Sequence, residues 1–129
     1  MSENTALNIS PAIPILRIFD VVKTKEFYCN FLGFTVDWEY RHSEELPLYM
    51  QISREQMTLH LSEHHGDSVP GLRLFIPLEN IEDLADELEK KSYKYANPAV
   101  VRVPWGLEME ITDPFGNRLT FCRQERAPG

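Results

Sequence analysis

Pro104-Trp105-Gly106-Leu107-Glu108-Met109-Glu110-Ile111-Thr112-Asp113-Pro114-Phe115-Gly116-Asn117-Arg118-Leu119-Thr120-Phe121 is the stretch that decides the fold. Leu107 to Thr112 alternates apolar and polar, breaks at Asp113-Pro114-Phe115-Gly116-Asn117, and resumes as Leu119-Thr120-Phe121. This pattern predicts two strands joined by a tight turn. Pro sets φ for such a turn, while Gly and Asn tolerate positive φ. Trp105 stands at the mouth of the first strand. A large flat ring there can stack on a flat ligand, or it can be a partly buried core aromatic.

Working outward, the upstream segment supplies the rest of a half-domain. Leu72, Leu74 and Ile76 predict a strand. Asn80 is a helix cap, and Ile81, Leu84, Ala85 and Leu88 fall on one helical face. Asp83 resembles a capping-box partner. A short strand is expected around Tyr93 to Val101. The first half follows the same order after a polar tail over residues 1–8. Ala12 to Phe19 reads as a strand, and Pro14, lacking an amide donor, places it at an edge or crossing point. Asp20 caps a helix with Val21, Phe27, Tyr28, Phe31 and Leu32 inside, and Gly33 ends it. Three alternating strands follow, through Phe34 to Tyr40, Leu48 to Ile52, and Met57 to Leu61. The loop from Glu63 to Ser68 closes this half. Each half therefore reads strand–helix–three strands. The expected fold class is α+β. The expected organisation is one domain over residues 1–129, with module one spanning about 9–66 and module two about 69–125.

A chain of 129 residues with 43% hydrophobic and 26% charged residues has the composition of a globular domain. Its 20 acids outnumber 13 bases, for a formal net charge of −7. Nucleic acid and anionic membranes are poor partners for such a surface, whereas a cationic small molecule is attracted. The two cysteines, Cys29 and Cys122, lack metal-type spacing and make no disulfide framework, so both are read as reduced thiols. The first residues have neither a basic flank nor an apolar core, and no apolar run reaches membrane-spanning length. A cytoplasmic protein is expected.

The repeat and its wording resemble the vicinal oxygen chelate superfamily, which includes glyoxalase I, extradiol dioxygenases, fosfomycin resistance proteins and bleomycin resistance proteins. The resemblance runs from about Ala12 to Cys122. Leu32-Gly33-Phe34 and Asp113-Pro114-Phe115-Gly116-Asn117 are its widespread pieces. Ala12-Ile13-Pro14-Ile15-Leu16, Glu26-Phe27-Tyr28, Met57-Thr58-Leu59-His60-Leu61-Ser62 and Pro104-Trp105-Gly106 point to the bleomycin resistance branch. The resemblance implies two βαβββ modules whose curled, mixed sheets form a cup with helices on the outer face. It also implies a homodimer that exchanges its N-terminal strand near Pro14. In the drug-binding branch nothing reacts, and the dimer sequesters a cationic, flat-tailed glycopeptide such as bleomycin. Antibiotic resistance is the role implied.

Enzymes of the superfamily hold a divalent metal through four positions, which the resemblance carries onto Ile13, His60, Arg73 and Thr120. Only His60 is a metal ligand by type. Ile13 has no lone pair, and Arg73 brings a fixed positive charge. An open catalytic metal site needs about three protein ligands. No metal ligand set, cofactor or catalytic residue is therefore assigned, and a metal-dependent glyoxalase-like lyase or dioxygenase is the alternative function. His64 and His65 read as a solvated loop, because His60 and His64 would lie about 13 Å apart along a strand.

Alternation assigns the cup lining. Leu59 and Leu61 face the helices, so Thr58, His60 and Ser62 face away. By the same logic Tyr49, Gln51, Arg73, Glu108, Glu110 and Thr120 look into the cup. Arg73 is expected to pair with Glu110 or Glu108, unless one of them meets a ligand charge. His60 reads as a satisfied polar neighbour. Trp38 falls where the drug-binding relatives carry a groove aromatic, yet alternation puts it with Tyr40 on the apolar side. The candidate ligand-binding residues are thus Trp105, Trp38, Tyr49, Gln51, His60, Arg73, Glu108 and Glu110.

Overall fold

The computed structural model describes residues 6–93 and 98–125. Among the described residues, eight strands and three helical segments, the first two of them continuous, follow one another as two equivalent halves. The first contains β1 (Ile15–Arg17), α1 (Val21–Lys25), β2 (Thr35–Tyr40), β3 (Tyr49–Arg54) and β4 (Met57–Ser62). The second contains β5 (Arg73–Pro77), α2 (Ile81–Lys91), β6 (Val101–Val103), β7 (Gly106–Thr112) and β8 (Arg118–Gln124). Each half forms a four-stranded mixed sheet, ordered β1-β4-β3-β2 and β5-β8-β7-β6. The pairs β1/β4 and β5/β8 are parallel, and the remaining pairs are antiparallel. The expected repeat of strand, helix and three strands is therefore present, and the fold is α+β.

Three local expectations are corrected. The first strand covers only Ile15–Arg17 rather than Ala12 to Phe19, because Pro14 has no N–H to extend the ladder. Its carbonyl still accepts from His60 N at 2.9 Å, and β1 is an edge strand. The strand expected around Tyr93 to Val101 is instead Val101–Val103, and residues 94–97 of that stretch lie outside the described residues. Asn80 precedes α2 without capping it through its side chain, whereas Asp20 Oδ1 accepts from Lys23 N at 2.8 Å. The first helix also changes hand-over pattern: α1 runs on as a π-helical segment, Glu26–Phe31. That wider turn aims Phe27, Tyr28 and Phe31 together into the core.

One face of each sheet builds the core. Leu16, Met50, Ile52, Leu59 and Leu61 from the first half are fully buried with Phe27, Tyr28 and Leu32. Met109, Ile111, Leu119, Ile81 and Leu88 are the counterparts in the second. Polar ties join the halves on this side. Arg54 makes two hydrogen bonds to the Glu87 carboxylate at 2.8 and 2.9 Å, and Lys91 Nζ donates to Phe31 O at 2.9 Å. Asn117 donates to Arg17 O at 3.0 Å and accepts from Gly71 N and Leu72 N. The opposite face of each sheet is only partly covered: Trp38, Arg73, Phe75 and Glu110 are exposed there, whereas Ser62, Thr120 and Cys122 are buried.

Candidate functional site

The open face of the first sheet begins with an irregularity in β2. Val36 stands opposite Ile52, but Trp38 stands opposite Gln51, so Asp37 is an extra residue in the strand. A bulge of this kind reverses the alternation beyond it. Trp38 and Tyr40 are consequently turned away from the core, 43% and 50% exposed. This corrects the alternation that grouped them with Val36. Trp38 stacks on Tyr49 with ring centroids 6.0 Å apart and planes 12° apart, and His60 meets Trp38 edge-on at 5.4 Å.

A chain of hydrogen bonds runs beneath these rings. His60 Nδ1 lies 2.7 Å from Tyr49 Oη, and its Nε2 lies 3.0 Å from Gln51 Oε1. Gln51 Nε2 donates to Asp37 Oδ2 at 3.0 Å, and Ser53 Oγ donates to Asp37 Oδ1 at 3.0 Å. An ionised carboxylate only accepts, so Asp37 orients the Gln51 amide. Gln51 Oε1 then accepts from His60 Nε2–H, and His60 Nδ1 accepts the Tyr49 proton. Partial burial, helped by Asp67, raises the Tyr49 pKa and keeps the phenol protonated. Trp38, Tyr49, Gln51 and His60 are thus brought together, as expected. Asp37 and Ser53 belong to the same group and were missed. Asp37 was hidden by the bulge, which leaves no mark in the alternation, while Ser53 shares the parity of Tyr49 and Gln51.

The second sheet carries the other candidates. Arg73 Nε donates to Thr120 Oγ1 at 2.9 Å and lies 3.3 Å from Glu110 Oε1. Thr120 Oγ1 in turn donates to Glu110 Oε1 at 3.0 Å, and Arg118 approaches Glu110 Oε2 at 4.0 Å. The expected partner of Arg73 is therefore Glu110, with Arg118 as a second cation. Phe75, opposite Thr120 in the ladder and 46% exposed, adds an aromatic that was missed. Its signal was available: it shares the parity of Arg73, opposite to Leu74 and Ile76.

Trp105 lies in the two-residue turn between β6 and β7. The chain passes so close to β8 here that a Cβ on Gly106 would collide with the Arg123 carbonyl oxygen. Glycine is therefore required to seat the turn. Trp105 is half-buried, and its Nε1–H donates to Glu108 Oε2 at 2.8 Å. Glu108 shares a face with Glu110 but is itself buried, opposite Cys122 in the ladder. Burial and this carboxylate push the Cys122 thiol pKa up, which keeps it neutral.

The eight candidates do not converge within one chain. Trp38, Tyr49, Gln51 and His60 occupy the first sheet, and Arg73, Glu108, Glu110 and Trp105 belong to the second. Among the described residues no hydrogen bond, ion pair or ring contact links the two groups.

The donor set for the metal of the superfamily's enzymes does not fit at the implied positions. Both ring nitrogens of His60 are engaged by Tyr49 and Gln51, and Arg73 is bound to Thr120. Among the described residues no three His, Cys, Asp or Glu side chains are grouped so as to hold a metal ion. His64 and His65 lie in the loop after β4, tied by an Asp67 N to His64 O bond of 3.3 Å. Among the described residues no helix is long and apolar enough to cross a membrane.

Known structures share this architecture. TnmS3, an antibiotic binding protein from Streptomyces sp. CB03234, is 21% identical, with a TM-score of 0.71 over 93% of this chain and 100% of its own. The bleomycin-binding protein of bleomycin-producing Streptomyces verticillus, solved with copper(II)-bleomycin, is 27% identical, with a TM-score of 0.66 over 93% and 100%. The bleomycin resistance determinant encoded on the transposon Tn5 is 20% identical, with a TM-score of 0.71 over 92% and 100%. No curated protein matches the chain significantly. The family described as glyoxalase superfamily protein matches residues 3–127, and the chain belongs to it.

Proposed function

We propose that the chain is a small-molecule-binding protein that sequesters a cationic or flat aromatic antibiotic without transforming it. The observation that carries this reading is the exposed aromatic face of the first sheet, where Trp38 stacks on Tyr49 beside His60. Large aromatics left open on a rigid sheet offer stacking area at little entropic cost. The bleomycin-binding neighbours support the same direction. The net charge of −7 favours a cationic ligand.

The site is completed in this reading by a second copy. The chain acts as one domain of two modules, about 9–66 and about 69–125, and works as a homodimer in the cytoplasm. The first sheet of one copy faces the second sheet of its partner, and the N-terminal segment crosses between them near Pro14. That pairing would bring Trp38, Tyr49, Gln51 and His60 opposite Trp105, Glu108, Arg73 and Glu110 in one groove.

Calorimetric titration of the purified protein with bleomycin tests the reading, with sedimentation of the free protein alongside. Saturable heat at micromolar protein with one ligand site per groove is expected. No heat, or a monomer that binds bleomycin at full stoichiometry, would overturn respectively the ligand or the shared groove.

A further inference from the structure

Arg17 ends β1, half-buried and in register with Ser62 of β4. The Ser62 hydroxyl is committed elsewhere: it donates to Asp67 Oδ2 at 2.7 Å and accepts from His64 N at 3.0 Å. Arg17 Nε is buried without a hydrogen-bond partner, and it is the one side-chain atom among the described residues in that position. Every other arginine of the described residues, Arg41, Arg54, Arg73, Arg102, Arg118 and Arg123, lies within 4.0 Å of a carboxylate. Among the described residues Arg17 has no such partner, on a chain with 20 acids. An aromatic ring holds it instead. The guanidinium carbon lies 4.4 Å from the centre of the Phe19 ring. Phe19 is 53% exposed and leans on Phe115, with ring centroids 6.0 Å apart. Asn117 fixes the backbone here by donating to Arg17 O at 3.0 Å. A buried N–H left unpaired, on a cation without a counter-charge, is costly and needs a reason beyond the fold.

We infer that Arg17 is the binding point for a carboxylate borne on a flat ring, at the end of β1 beside Phe19 and Phe115. The planar guanidinium matches the two oxygens of a carboxylate. With Nε buried, the anion is met end-on by the two terminal nitrogens. The contact with Phe19 holds the fork in one orientation, so less freedom is lost when the anion arrives. Phe19 and Phe115 give the attached ring an apolar neighbour. A cationic group is a poor fit, because the guanidinium keeps its positive charge and has only donors to offer. The inference is independent of the sequestration reading, since it uses none of the residues assigned to that groove.

The buried Nε–H should exchange slowly with water and give its own signal in a nitrogen–proton correlation spectrum, assigned by its loss in Arg17→Lys. Sodium benzoate is titrated in parallel with benzamide, its neutral counterpart, with acetate, which lacks the ring, and with inorganic phosphate. Benzoate is expected to move the Arg17 signal with a Kd on the order of 1 mM, and benzamide to leave it in place. Acetate and phosphate should bind at least about threefold more weakly than benzoate. The Phe19 ring signals follow the variants. Arg17→Gln should weaken benzoate by roughly tenfold, and Arg17→Lys by about threefold or more. Arg102→Gln, at an exposed arginine paired with Glu125, should change it by less than about twofold. No wild-type shift, an equal shift with benzamide, full affinity in Arg17→Gln, or an equal loss in Arg102→Gln would each overturn the assignment. Acetate or phosphate binding as tightly as benzoate would refute a ring-borne carboxylate. If Arg17→Gln fails to fold, Arg17→Lys carries the same test, with unchanged benzoate affinity as the refuting result.

Discussion

The Tyr28 hydroxyl donates to Asp113 Oδ2 at 2.7 Å across 85 positions of sequence, in the buried seam between the two halves. Asp113 opens the turn between β7 and β8, and its other oxygen holds Phe115 N and Asn117 N at 2.8 Å. The Asp-Pro-Phe-Gly-Asn motif is therefore more than a hairpin turn. Through Tyr28 it is fastened to the first helix, and through Asn117 to Arg17 and Leu72. Burial, reinforced by the Asp113 charge, raises the Tyr28 pKa well above its usual value, so the hydroxyl stays a donor.

Tyr28→Phe removes that donor and keeps the ring. Loss of one hydrogen bond to a buried charge is expected to cost about 1–3 kcal/mol. A urea melt should show a lower midpoint with an unchanged slope, because the surface exposed on unfolding is the same. An unaltered midpoint would mean that Asn117 and the turn backbone already satisfy Asp113.

The repeat and most strands were legible because a half-open sheet writes its two faces as alternation, and Leu59, Leu61, Leu119 and Phe121 obey it. The turn was legible because Asp113, Pro114, Gly116 and Asn117 are turn residues for separate local reasons. The side of Trp38 was not legible. One extra residue at Asp37 inverts the pattern, and composition carries no sign of a bulge whose evidence lies in the partner strand. The pairing of Arg73 with Glu110 rather than Glu108 was likewise hidden. Parity puts both acids on one face, and only the cover of Trp105 over Glu108 separates them. Whether the two groups of candidates meet is a matter of how the halves pack, which periodicity within each half cannot encode.

Trp38→Ala separates binding from stability. The side chain is 43% exposed, so its removal should cost about 1 kcal/mol or less of stability. Loss of a stacking ring should weaken bleomycin by about 1–3 kcal/mol, or roughly 5- to 150-fold. Trp38→Phe should recover part of that affinity. Thermal melts and calorimetry on the three proteins check both parts. A large drop in melting temperature with unchanged affinity would return Trp38 to a core role.

The hydrogen-bond chain from Tyr49 to Asp37 fixes which nitrogen of neutral His60 carries the proton. Because Asp37 can only accept, Gln51 must present its oxygen to His60 Nε2. Nitrogen chemical shifts of the His60 ring should report the Nε2–H form as dominant in the neutral state. Asp37→Asn frees the Gln51 amide to turn over and should mix the two tautomers. Dominance of Nδ1–H in the wild type would show that the amide is oriented the other way.

The pair Arg54–Glu87 gives the seam a defined acid sensitivity. Its two hydrogen bonds join the end of β3 to α2, and Lys91 adds a contact to the same carboxylate at 3.5 Å. The Arg54 hydrogen bonds hold the Glu87 pKa below its ordinary 4.5. A lowered folded-state pKa means that the unfolded chain takes up the proton first as pH falls. The contribution is therefore fully present above 4.5 and is lost as pH falls through the depressed folded-state value. Both side chains are about one-third exposed, at 30% and 35%, so solvent screening limits the effect. Glu87→Gln should cost about 1 kcal/mol or less at neutral pH. The difference between wild type and variant should shrink steadily below pH 4.5. Urea midpoints measured for both proteins from neutral to pH 3 check this, and a gap that stays constant across that window would show that Glu87 acts through packing rather than through its charge.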